Sequence, residues 1–523
     1  PLSCLLVRGG ASLAMPLFKT RTAAIYGVDA LHIDVEVDMY LGDPKSFITV
    51  GLPDTAVKES RERIKSSLIN AGFGYPAKAV TVNLAPANIR KEGAGFDLPI
   101  ALGILGAMGA IPSKALEDFL VVGELSLDGG VRPVRGALPT AVCAKKEGVP
   151  NVVVPKENAV EAAVVEGVNV YGVDYLADVV RLIEKPESRE PVSGNAALNG
   201  DPAWSAPSHD FRDVKGQETA KRALEIAAAG GHNVLMVGPP GSGKTMLAKR
   251  FPGILPGLTF EEALETTKVH SVSGVLASNA GLIRERPFRS PHHSISNAGL
   301  VGGGMGMAKP GEVSLAHNGV LFLDEFPEFP RNVLELLRQP LEDGEITIVR
   351  SDLSLTFPSS FMMVAAMNPC PCGYFGDPNR DCRCTPAQIQ RYVGKISGPL
   401  LDRIDIHVEV PPVKYRELRS DQLAEPSEAI RRRTETARQV QMRRGYPNAR
   451  MPSKQIREFC KLDERGERTL ESAVQRMGLS ARAHDRILKV SRTIADLGGS
   501  DQVIVNHLAE AVQYRSLDRT YWA

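Results

Sequence analysis

A run of eight residues near the middle of the chain has the types and spacing of a phosphate-binding loop. It follows the apolar run NVLMV at 233–237 and precedes MLAKR at 246–250, which is typical of a helix start. Glycines let backbone N–H groups converge on a phosphate, and a helix N-terminus adds partial positive charge. A plain glycine-rich turn would not need these fixed positions. The pattern therefore predicts a nucleotide site made by Gly238, Pro239, Pro240, Gly241, Ser242, Gly243, Lys244 and Thr245.

Side chains for catalysis are expected in this loop and after a second apolar run. Lys244 has the reach for the β- and γ-phosphates, and the hydroxyl of Thr245 is expected to hold Mg²⁺. The run VLFL at 320–323 is followed by Asp324 and Glu325, which predicts a buried parallel strand with carboxylates at its ligand-binding edge. We expect Asp324 to hold Mg²⁺ through water and Glu325 to polarise the attacking water. A solvated turn is the alternative, and the phosphate loop disfavours it.

Two further polar residues extend this set. The apolar run at 361–367 ends in Asn368, which is predicted to orient the water between Glu325 and the γ-phosphate. A simple turn residue is the alternative at that position. Arg403 lies between two aspartates. It forms either a surface salt bridge or an arginine finger that neutralises transition-state charge on the nucleotide of a neighbouring subunit.

Four of the seven cysteines form two C-x-C pairs within fifteen residues, namely Cys370, Cys372, Cys382 and Cys384. Two interpretations stay open: a tetrahedral Zn²⁺ site, or reduced thiols that brace the loop after Asn368. His292 and His293 are adjacent, so their side chains face different ways, and no ligand set accompanies them. We interpret them as loop or interface histidines rather than metal ligands.

The elements that must position these residues follow an α/β order. Apolar and polar residues alternate at 30–37, which indicates a half-buried strand. Other strands are predicted at 48–50, 79–84, 119–122, 151–154 and 168–171, with helices at 54–68, 97–108 and 140–147. Helical spacing dominates the C-terminal region, at 428–442, 453–460, 467–477, 481–497 and 502–514.

Composition divides the chain into segments. Pro, Gly, Ser and Asn are frequent at 185–209, which is typical of a linker. We therefore predict a disordered extension at 1–15, an α/β domain at 16–184, a nucleotide-binding α/β domain at 210–411 and a helical lid domain at 412–523.

Bulk composition excludes some classes of protein. The chain is 43% hydrophobic and 24% charged, as globular proteins are. Its net charge of +1 gives no global attraction to nucleic acid, although the region from residue 412 onward is basic. That region indicates either a polyanion partner or a solvated helical face. No run of 18 apolar residues is present, and the cysteine pattern is unlike a secreted disulfide framework, so we expect no membrane partner and a cytoplasmic location.

The motifs together resemble an AAA+ ATPase of the magnesium-chelatase and MCM-like branch. Residues 238–245, Asp324 with Glu325, Asn368 and Arg403 fall in the order of Walker A, Walker B, sensor 1 and arginine finger. The resemblance implies that Arg482, in SARA at 480–483, is the sensor 2 arginine that contacts nucleotide. VKGQ at 214–217 is similar to the adenine-side entry of such modules. The implied cofactors are ATP and Mg²⁺.

The same branch carries two insertions that face the pore of a ring. Residues 289–312 resemble its helix-2 insertion, and 341–350 resemble its hairpin before sensor 1. Lys309 and Arg350 are candidate contacts to a phosphate backbone, with solvated surface charges as the alternative.

The N-terminal block resembles a Lon-protease-like domain of the ribosomal S5 domain 2 type, through NIRKEGAGFDLP at 88–99, VGELSL at 122–127 and VVVPKEN at 152–158. Lon proteases use a serine nucleophile and a lysine base. Here those positions align with Gly95 and Leu138, which can perform neither role. A peptidase is therefore disfavoured, and a binding or ring-building domain is expected.

The full combination, with phrases such as NPCPCG at 368–373, KISGPLLDRID at 395–405 and VSRTIADL at 490–497, resembles the YifB/ComM family. The resemblance implies a homo-hexameric, ATP-driven DNA helicase that promotes branch migration during natural transformation and recombination. The alternative is a magnesium-chelatase-type motor subunit that acts on a protein partner. The N-terminal domain and the cysteine cluster disfavour that alternative.

Overall fold

A computed structural model describes residues 17–112, 114–194, 209–304, 308–350, 353–377, 380–413, 417, 419 and 424–517. The chain divides into two compact units, Pro1–Pro202 with His270–Leu282, and Ala203–Val269 with Ile283–Ala523. The predicted extension at 1–15 and most of the predicted linker lie outside the described residues.

The first unit is built on a seven-stranded mixed sheet in the order β3-β4-β2-β1-β5-β8-β9. The pairs β1–β2 and β2–β4 are antiparallel, and the other neighbours are parallel. Its strands, with the separate ribbon β6–β7, are β1 Phe18–Tyr26, β2 Asp29–Tyr40, β3 Phe47–Val50, β4 Ala79–Ala85, β5 Phe119–Val121, β6 Glu124–Leu125, β7 Val131–Arg132, β8 Asn151–Pro155 and β9 Asn169–Val173.

Five α-helices complete this unit among its described residues: α1 Thr55–Asn70, α2 Asp97–Ala107, α3 Ala137–Lys146, α4 Ala159–Ala162 and α5 Leu176–Glu184. Asp54 caps α1 by accepting a hydrogen bond from the backbone N–H of Val57 at 2.8 Å. Helix α2 is apolar on all sides because it is enclosed in the core. The alternation predicted at 30–37 is confirmed, since Ile33, Val35 and Val37 are fully buried on one face of β2.

Residues 270–282 belong to the first unit although they follow the phosphate loop in the chain. The backbone N–H of Asn279 donates to the carbonyl of Glu157 at 3.0 Å, and the hydroxyl of Ser278 donates to the Glu157 carboxylate at 2.9 Å. Nothing in the sequence pattern indicates this placement.

The second unit has a five-stranded, fully parallel sheet in the order β11-β14-β17-β10-β18. The strands are β10 Val234–Val237, β11 Phe288–Arg289, β14 Val320–Leu323, β17 Met362–Met367 and β18 Ile406–Glu409. Its central strands are apolar and buried, as the sequence predicts for strands covered on both faces.

Two antiparallel ribbons leave this sheet, β12 Gly302–Gly303 with β13 Lys309–Pro310 and β15 Glu345–Arg350 with β16 Leu353–Pro358. The second ribbon confirms the hairpin predicted from 341–350. A further helix, Phe260–Ser273, begins in this unit, and its residues 270–273 belong to the first unit.

The helices of the second unit and this shared helix are α6 Glu218–Gly230, α7 Lys244–Arg250, α8 Phe260–Ser273, α9 Asn297–Val301, α10 Glu312–Leu315, α11 Arg331–Glu335, α12 Arg338–Asp343, α13 Pro386–Val393, α14 Gly398–Leu401, α15 Ser427–Arg443, α16 Ser453–Phe459, α17 Glu464–Met477, α18 Ala481–Leu497 and α19 Val505–Gln513. The last five confirm the helical C-terminal region. Ser480 caps α18 by accepting a hydrogen bond from the backbone N–H of Ala483 at 3.2 Å.

The predicted fold class is confirmed: the chain is α/β, with a parallel sheet in the second unit and a helical C-terminal region. One long strand was not predicted. Strand β1 buries Thr20 and Thr22, so its inward face does not read as apolar. Within the described ranges, every helix is too short or too polar to cross a membrane.

Candidate nucleotide-binding site

The phosphate loop has the strand–loop–helix context that the sequence predicts, between β10 and α7. At Gly238 an added Cβ would lie 2.1 Å from the carbonyl oxygen of Val410, so only glycine fits between the strand end and its neighbour. Gly243 has φ +95°, a left-handed conformation immediately before the first helical residue. These two glycines set the path of the loop and the start of α7.

Lys244 is the buried cation of this loop. Its Nζ donates hydrogen bonds to the carbonyls of Gly238 at 2.7 Å and Pro239 at 2.9 Å, and to Oδ1 of Asn368 at 3.2 Å. Burial lowers the pKa of Lys244 to about 8, against an opposing effect of Asp324. Among the residues that the structure describes, the ammonium is therefore held by neutral oxygens and is hydrogen-bonded to no carboxylate.

Thr245 and Asp324 form the candidate magnesium position. The hydroxyl of Thr245 donates to Oδ2 of Asp324 at 2.7 Å, and the backbone N–H of Glu325 donates to Oδ1 at 3.0 Å. Both side chains offer oxygen donors, which Mg²⁺ prefers. The donor set fits the ion that the sequence predicts there.

Asn368 joins the same edge through strand register. Val237 pairs with Met367, and Leu323 pairs with Ala365, so the ends of β10, β14 and β17 are aligned. The backbone N–H of Gly238 donates to the carbonyl of Met367 at 3.2 Å. Parallel strands thus bring three separate sequence motifs to one edge, with Asn368 beside Lys244.

Glu325 has a contact that the sequence did not indicate. It adopts φ +52°, a left-handed conformation uncommon outside glycine, and its side chain is 60% exposed. Its Oε2 lies 3.2 Å from Nδ1 of His293. His293 is therefore a loop residue, as the sequence predicts, and it lies four positions after β11, the strand that neighbours β14.

Arg403 and Arg482 both act on the carboxylate of Glu342. The side chain of Arg403 is 7% exposed, and its guanidinium donates to the carbonyl of Pro399 at 2.6 Å and to the carboxylate of Glu342. Arg403, and to a lesser extent Arg482, lowers the pKa of Glu342. Within the described part of the chain, neither arginine is hydrogen-bonded to residues 238–245. The structure therefore places the two arginines near one carboxylate.

Gln217, in the predicted adenine-side entry, bonds to the phosphate loop. Its side-chain amide donates to the carbonyl of Ser242 at 3.2 Å and to that of Pro411 at 2.5 Å. Its backbone φ of +63° aims the side chain from the start of α6 toward the loop. Gln217 thus ties the two strand-end segments together.

The predicted insertion is closed at its base by an ion pair between its first and last residues. Arg289 donates from Nε and Nη2 to the two carboxylate oxygens of Glu312 at 2.7 and 2.8 Å. A bidentate pair of this kind fixes both distance and orientation. Lys309 is exposed in the ribbon beyond this pair, and the side chain of Arg350 lies outside the described residues.

The four clustered cysteines come together immediately after Asn368. Their Sγ atoms all lie within 4.8 Å of one another. The Sγ of Cys370 is 3.3 Å from that of Cys372 and 3.6 Å from that of Cys382. This group could hold a metal ion.

The sheet order, the phosphate loop and the helical C-terminal region define an AAA+ protein of the magnesium-chelatase type. Comparison with known families agrees. The family "Magnesium chelatase, subunit ChlI" matches residues 210–418, and the family "Magnesium chelatase, subunit ChlI C-terminal" matches residues 424–515. A third family, "Subunit ChlI of Mg-chelatase", matches residues 35–158.

Individual relatives narrow the assignment. The chain is 47% identical over 509 residues to Competence protein ComM of Haemophilus influenzae, which covers 97% of this chain and 98% of that protein. It is 45% identical over 508 residues to Uncharacterized protein YifB of Escherichia coli, with 97% and 98% coverage. The Magnesium-chelatase 67 kDa subunit of Chlorobaculum parvum is 26% identical over 245 residues, 46% of this chain and 32% of that protein. The chain belongs to the ComM/YifB family.

Proposed function

We propose that this chain is an AAA+ ATPase that works in a homo-hexameric ring as a DNA helicase or translocase and promotes branch migration in natural transformation and recombination. One observation carries the ATPase proposal. Lys244, Thr245, Asp324, Glu325 and Asn368 come from three distant stretches of sequence and meet at one edge of a parallel sheet. A competence protein that matches nearly the whole chain supports the DNA substrate.

The phosphate loop contributes binding and charge. A phosphate oxygen accepts a stronger, charge-assisted hydrogen bond than a carbonyl does. Nucleotide therefore draws the ammonium of Lys244 from the carbonyls of Gly238 and Pro239 to the phosphates. Thr245 and Asp324 would hold Mg²⁺ with their oxygens, and the bound ion supplies charge neutralisation on the phosphates.

Glu325 and Asn368 prepare the water. Glu325 is a solvent-accessible carboxylate beside Asp324, so it can accept a proton from water at the γ-phosphate. Asn368 is fixed by its bond to Lys244, and its amide orients the same water. Arg403, supplied by a neighbouring subunit, stabilises the developing charge, with Arg482 as a further phosphate contact.

Ring formation requires a change at Arg403. In the single chain its guanidinium is bonded to Glu342 and Pro399. A finger that serves a neighbour must exchange these partners for phosphate oxygens. Hydrolysis is thereby confined to assembled rings. The ribbons β12–β13 and β15–β16 are the elements that we propose contact DNA, with Lys309 and Arg350 on its phosphates.

ATPase activity of the full chain, measured with and without forked and four-way DNA and with strand displacement in parallel, tests this function. We expect DNA to stimulate hydrolysis and ATP to drive displacement. If neither forked nor four-way DNA stimulates hydrolysis, the proposed role of DNA as the substrate is contradicted. That result would favour the alternative, a magnesium-chelatase-type motor acting on a protein partner, which the match at residues 210–418 supports.

Single substitutions test the catalytic assignments. Glu325→Gln should keep nucleotide binding and lower turnover by about 100-fold or more, because general-base catalysis contributes that much. Glu328→Gln is the matched control, since Glu328 is three positions on and bonded to Lys395 instead. Equal turnover in both variants would sink the role of Glu325.

Arg403→Ala should assemble yet lose about 1000-fold in turnover, and should inhibit when mixed into wild-type rings. Thermal unfolding of this variant checks that the buried position tolerates alanine. Full activity in a folded variant would place the finger elsewhere.

A further inference from the structure

The cysteine cluster has the geometry of a metal site rather than of packed thiols. Zinc–thiolate bonds of about 2.3 Å in a tetrahedron separate the sulfurs by about 3.8 Å. The three Sγ separations here, among Cys370, Cys372 and Cys382, are 3.3, 3.6 and 3.6 Å, and Cys384 completes a group that lies within 4.8 Å. A disulfide would bring two sulfurs to about 2.0 Å, and the described cysteines are all free.

A backbone donor beside the sulfurs supports a thiolate group. The N–H of Cys384 donates to the Sγ of Cys382 at 3.5 Å. Amides that point at sulfur stabilise negative charge on it and orient metal ligands. Four thiolates at this separation repel one another unless a cation lies between them.

The choice of metal follows from the ligand set. Four soft sulfur ligands in tetrahedral arrangement suit Zn²⁺ or iron, and closed four-cysteine sites are typical of structural zinc. Cys370 is fully buried and the other three cysteines are half-buried, as in a loop cross-link at a surface. Binding of one Zn²⁺ releases the thiol protons to solvent and leaves a zinc tetrathiolate with a net negative charge, and no step changes an oxidation state.

This loop also contacts the catalytic apparatus. Gly373 lies between the first and second cysteine pairs and has φ +86°. An added Cβ there would lie 2.5 Å from Cδ of Pro240 in the phosphate loop. On its other side the loop begins two residues after Asn368, which is bonded to Lys244. The cysteine loop thus touches the phosphate loop directly and continues from the strand that carries Asn368.

We propose that these four cysteines bind one Zn²⁺, and that the bound ion holds the loop against Pro240 so that Asn368 is positioned for hydrolysis. Asn368 would touch the reacting water, and the cysteines act through it as positioning residues. The positioning part rests on the ATPase function proposed above, and the metal part does not.

Metal content tests the first part. Full-length protein purified without added metal should contain about one zinc ion per chain, as measured by elemental (inductively coupled plasma) mass spectrometry. Titration with an organomercurial should release it to a chromogenic chelator. Cys382→Ser and Cys384→Ser should lose the zinc, while the control Cys143→Ala, a buried cysteine of the first unit, should keep it. A wild-type protein without zinc, with iron in its place, or with zinc retained in both serine variants overturns the site.

A pair of glycine variants tests the positioning. Gly373→Ala adds a Cβ against Pro240, whereas Gly376→Ala has similar backbone strain, at φ +78°, and nothing within 4 Å. Both should retain zinc. We expect kcat to fall between about 10- and 100-fold in Gly373→Ala, as for a catalytic group displaced by about an ångström, with the KM for ATP changed less than about threefold. Equal kcat values in the two variants overturn the positioning role.

Hydrogen exchange provides a readout that needs no catalysis. Zinc removal by chelation should speed exchange in the segment 366–376 at least tenfold, with no change in the first unit. An unchanged exchange rate would show that zinc does not hold the loop against Pro240, and this conclusion holds even if the protein hydrolyses no ATP. A third outcome separates the two proposals. If the protein binds zinc and zinc slows the exchange, but the protein hydrolyses no ATP, then the proposed function is rejected and the metal site stands.

Discussion

Under the proposed function, Lys244 should make nucleotide affinity depend on pH. Burial lowers its pKa to about 8, whereas an unperturbed lysine titrates at about 10.4. Its partners in the free chain are the carbonyls of Gly238 and Pro239 and the amide of Asn368, none of which carries a negative charge. Bound phosphate attracts the ammonium and raises its pKa, so binding selects the protonated form. Affinity should therefore fall as the pH rises through 8.

The magnitude follows from the protonated fraction. That fraction is about nine-tenths at pH 7 and about one-tenth at pH 9 for a pKa of about 8. Because apparent affinity scales with the fraction of the competent form, the Kd should rise about tenfold between these pH values, which equals about 1.4 kcal/mol. At pH 8 about half a proton should be taken up for each nucleotide bound.

Calorimetry with a non-hydrolysable ATP analogue and Mg²⁺ at pH 7, 8 and 9 measures both quantities. Two buffers of different ionisation enthalpy give the proton uptake. Phosphate groups titrate near pH 6, so the nucleotide itself changes little over this range. Lys244→Arg is the control, because a guanidinium stays charged and should give a flat profile at whatever affinity remains. A wild-type Kd that changes less than about twofold from pH 7 to 9 would refute this account of Lys244.

Three other predictions concern contacts elsewhere in the chain. His293→Ala should raise DNA-independent ATPase activity by up to about fivefold, because it removes the imidazole 3.2 Å from the Glu325 carboxylate, a polar contact worth at most about 1 kcal/mol; His292→Ala is the control, and equal rates would contradict this. Gly51→Ala places a Cβ 2.2 Å from a carbonyl oxygen and should lower stability to urea by about 2 kcal/mol more than Gly72→Ala, which has open space. Asp405→Asn should cost about 3–5 kcal/mol in the same assay, because the fully buried carboxylate pairs with Arg486.

Asp405 also contributes to acid sensitivity. Although burial opposes ionisation, Arg486 and His232 hold the pKa of Asp405 below its usual range. Its stabilisation is therefore present above the unfolded pKa of about 3.9 and is lost as the pH falls toward the lower folded value. The stability difference between wild type and Asp405→Asn should begin to narrow as the pH falls below about 4 and should keep narrowing toward the lower folded pKa, and a constant difference across the acid range would contradict this.

The geometry of the candidate nucleotide site was largely predictable because its parts are local. A glycine loop after an apolar run, and polar residues after two other apolar runs, each require only neighbouring residues to be recognised. Parallel strands then bring the three ends together, and the register of β10, β14 and β17 confirms that they do. Thr245 and Asp324, 79 positions apart, meet for this reason alone.

Strand β1 shows where local pattern fails. A strand is recognised when its inward face is apolar, but here Thr20 and Thr22 occupy that face. The hydroxyl of Thr20 is satisfied by the carbonyl of Pro99, 79 positions away, at 3.0 Å. A polar side chain can be buried in the core when it is hydrogen-bonded to a partner that is distant in the sequence. From the sequence alone, such a residue is predicted to be exposed. The missing information is the partner, which only the tertiary fold supplies.

The partner of Arg403 also could not be predicted from the sequence, and this partner bears on the mechanism. A motif places it as a finger for a neighbouring nucleotide, while the single chain buries its guanidinium against Glu342, 61 positions earlier. Both descriptions hold if the arginine has two sets of partners. The Glu342 side chain is already 53% accessible to water, so water can hydrate its carboxylate when Arg403 leaves. The loss of the pair therefore costs little on the Glu342 side. The intrachain pair therefore satisfies two of the three guanidinium nitrogens and leaves Nε buried without a partner among the described residues. In the proposed ring, a neighbour's phosphates carry more negative charge than Glu342 and are the stronger partner.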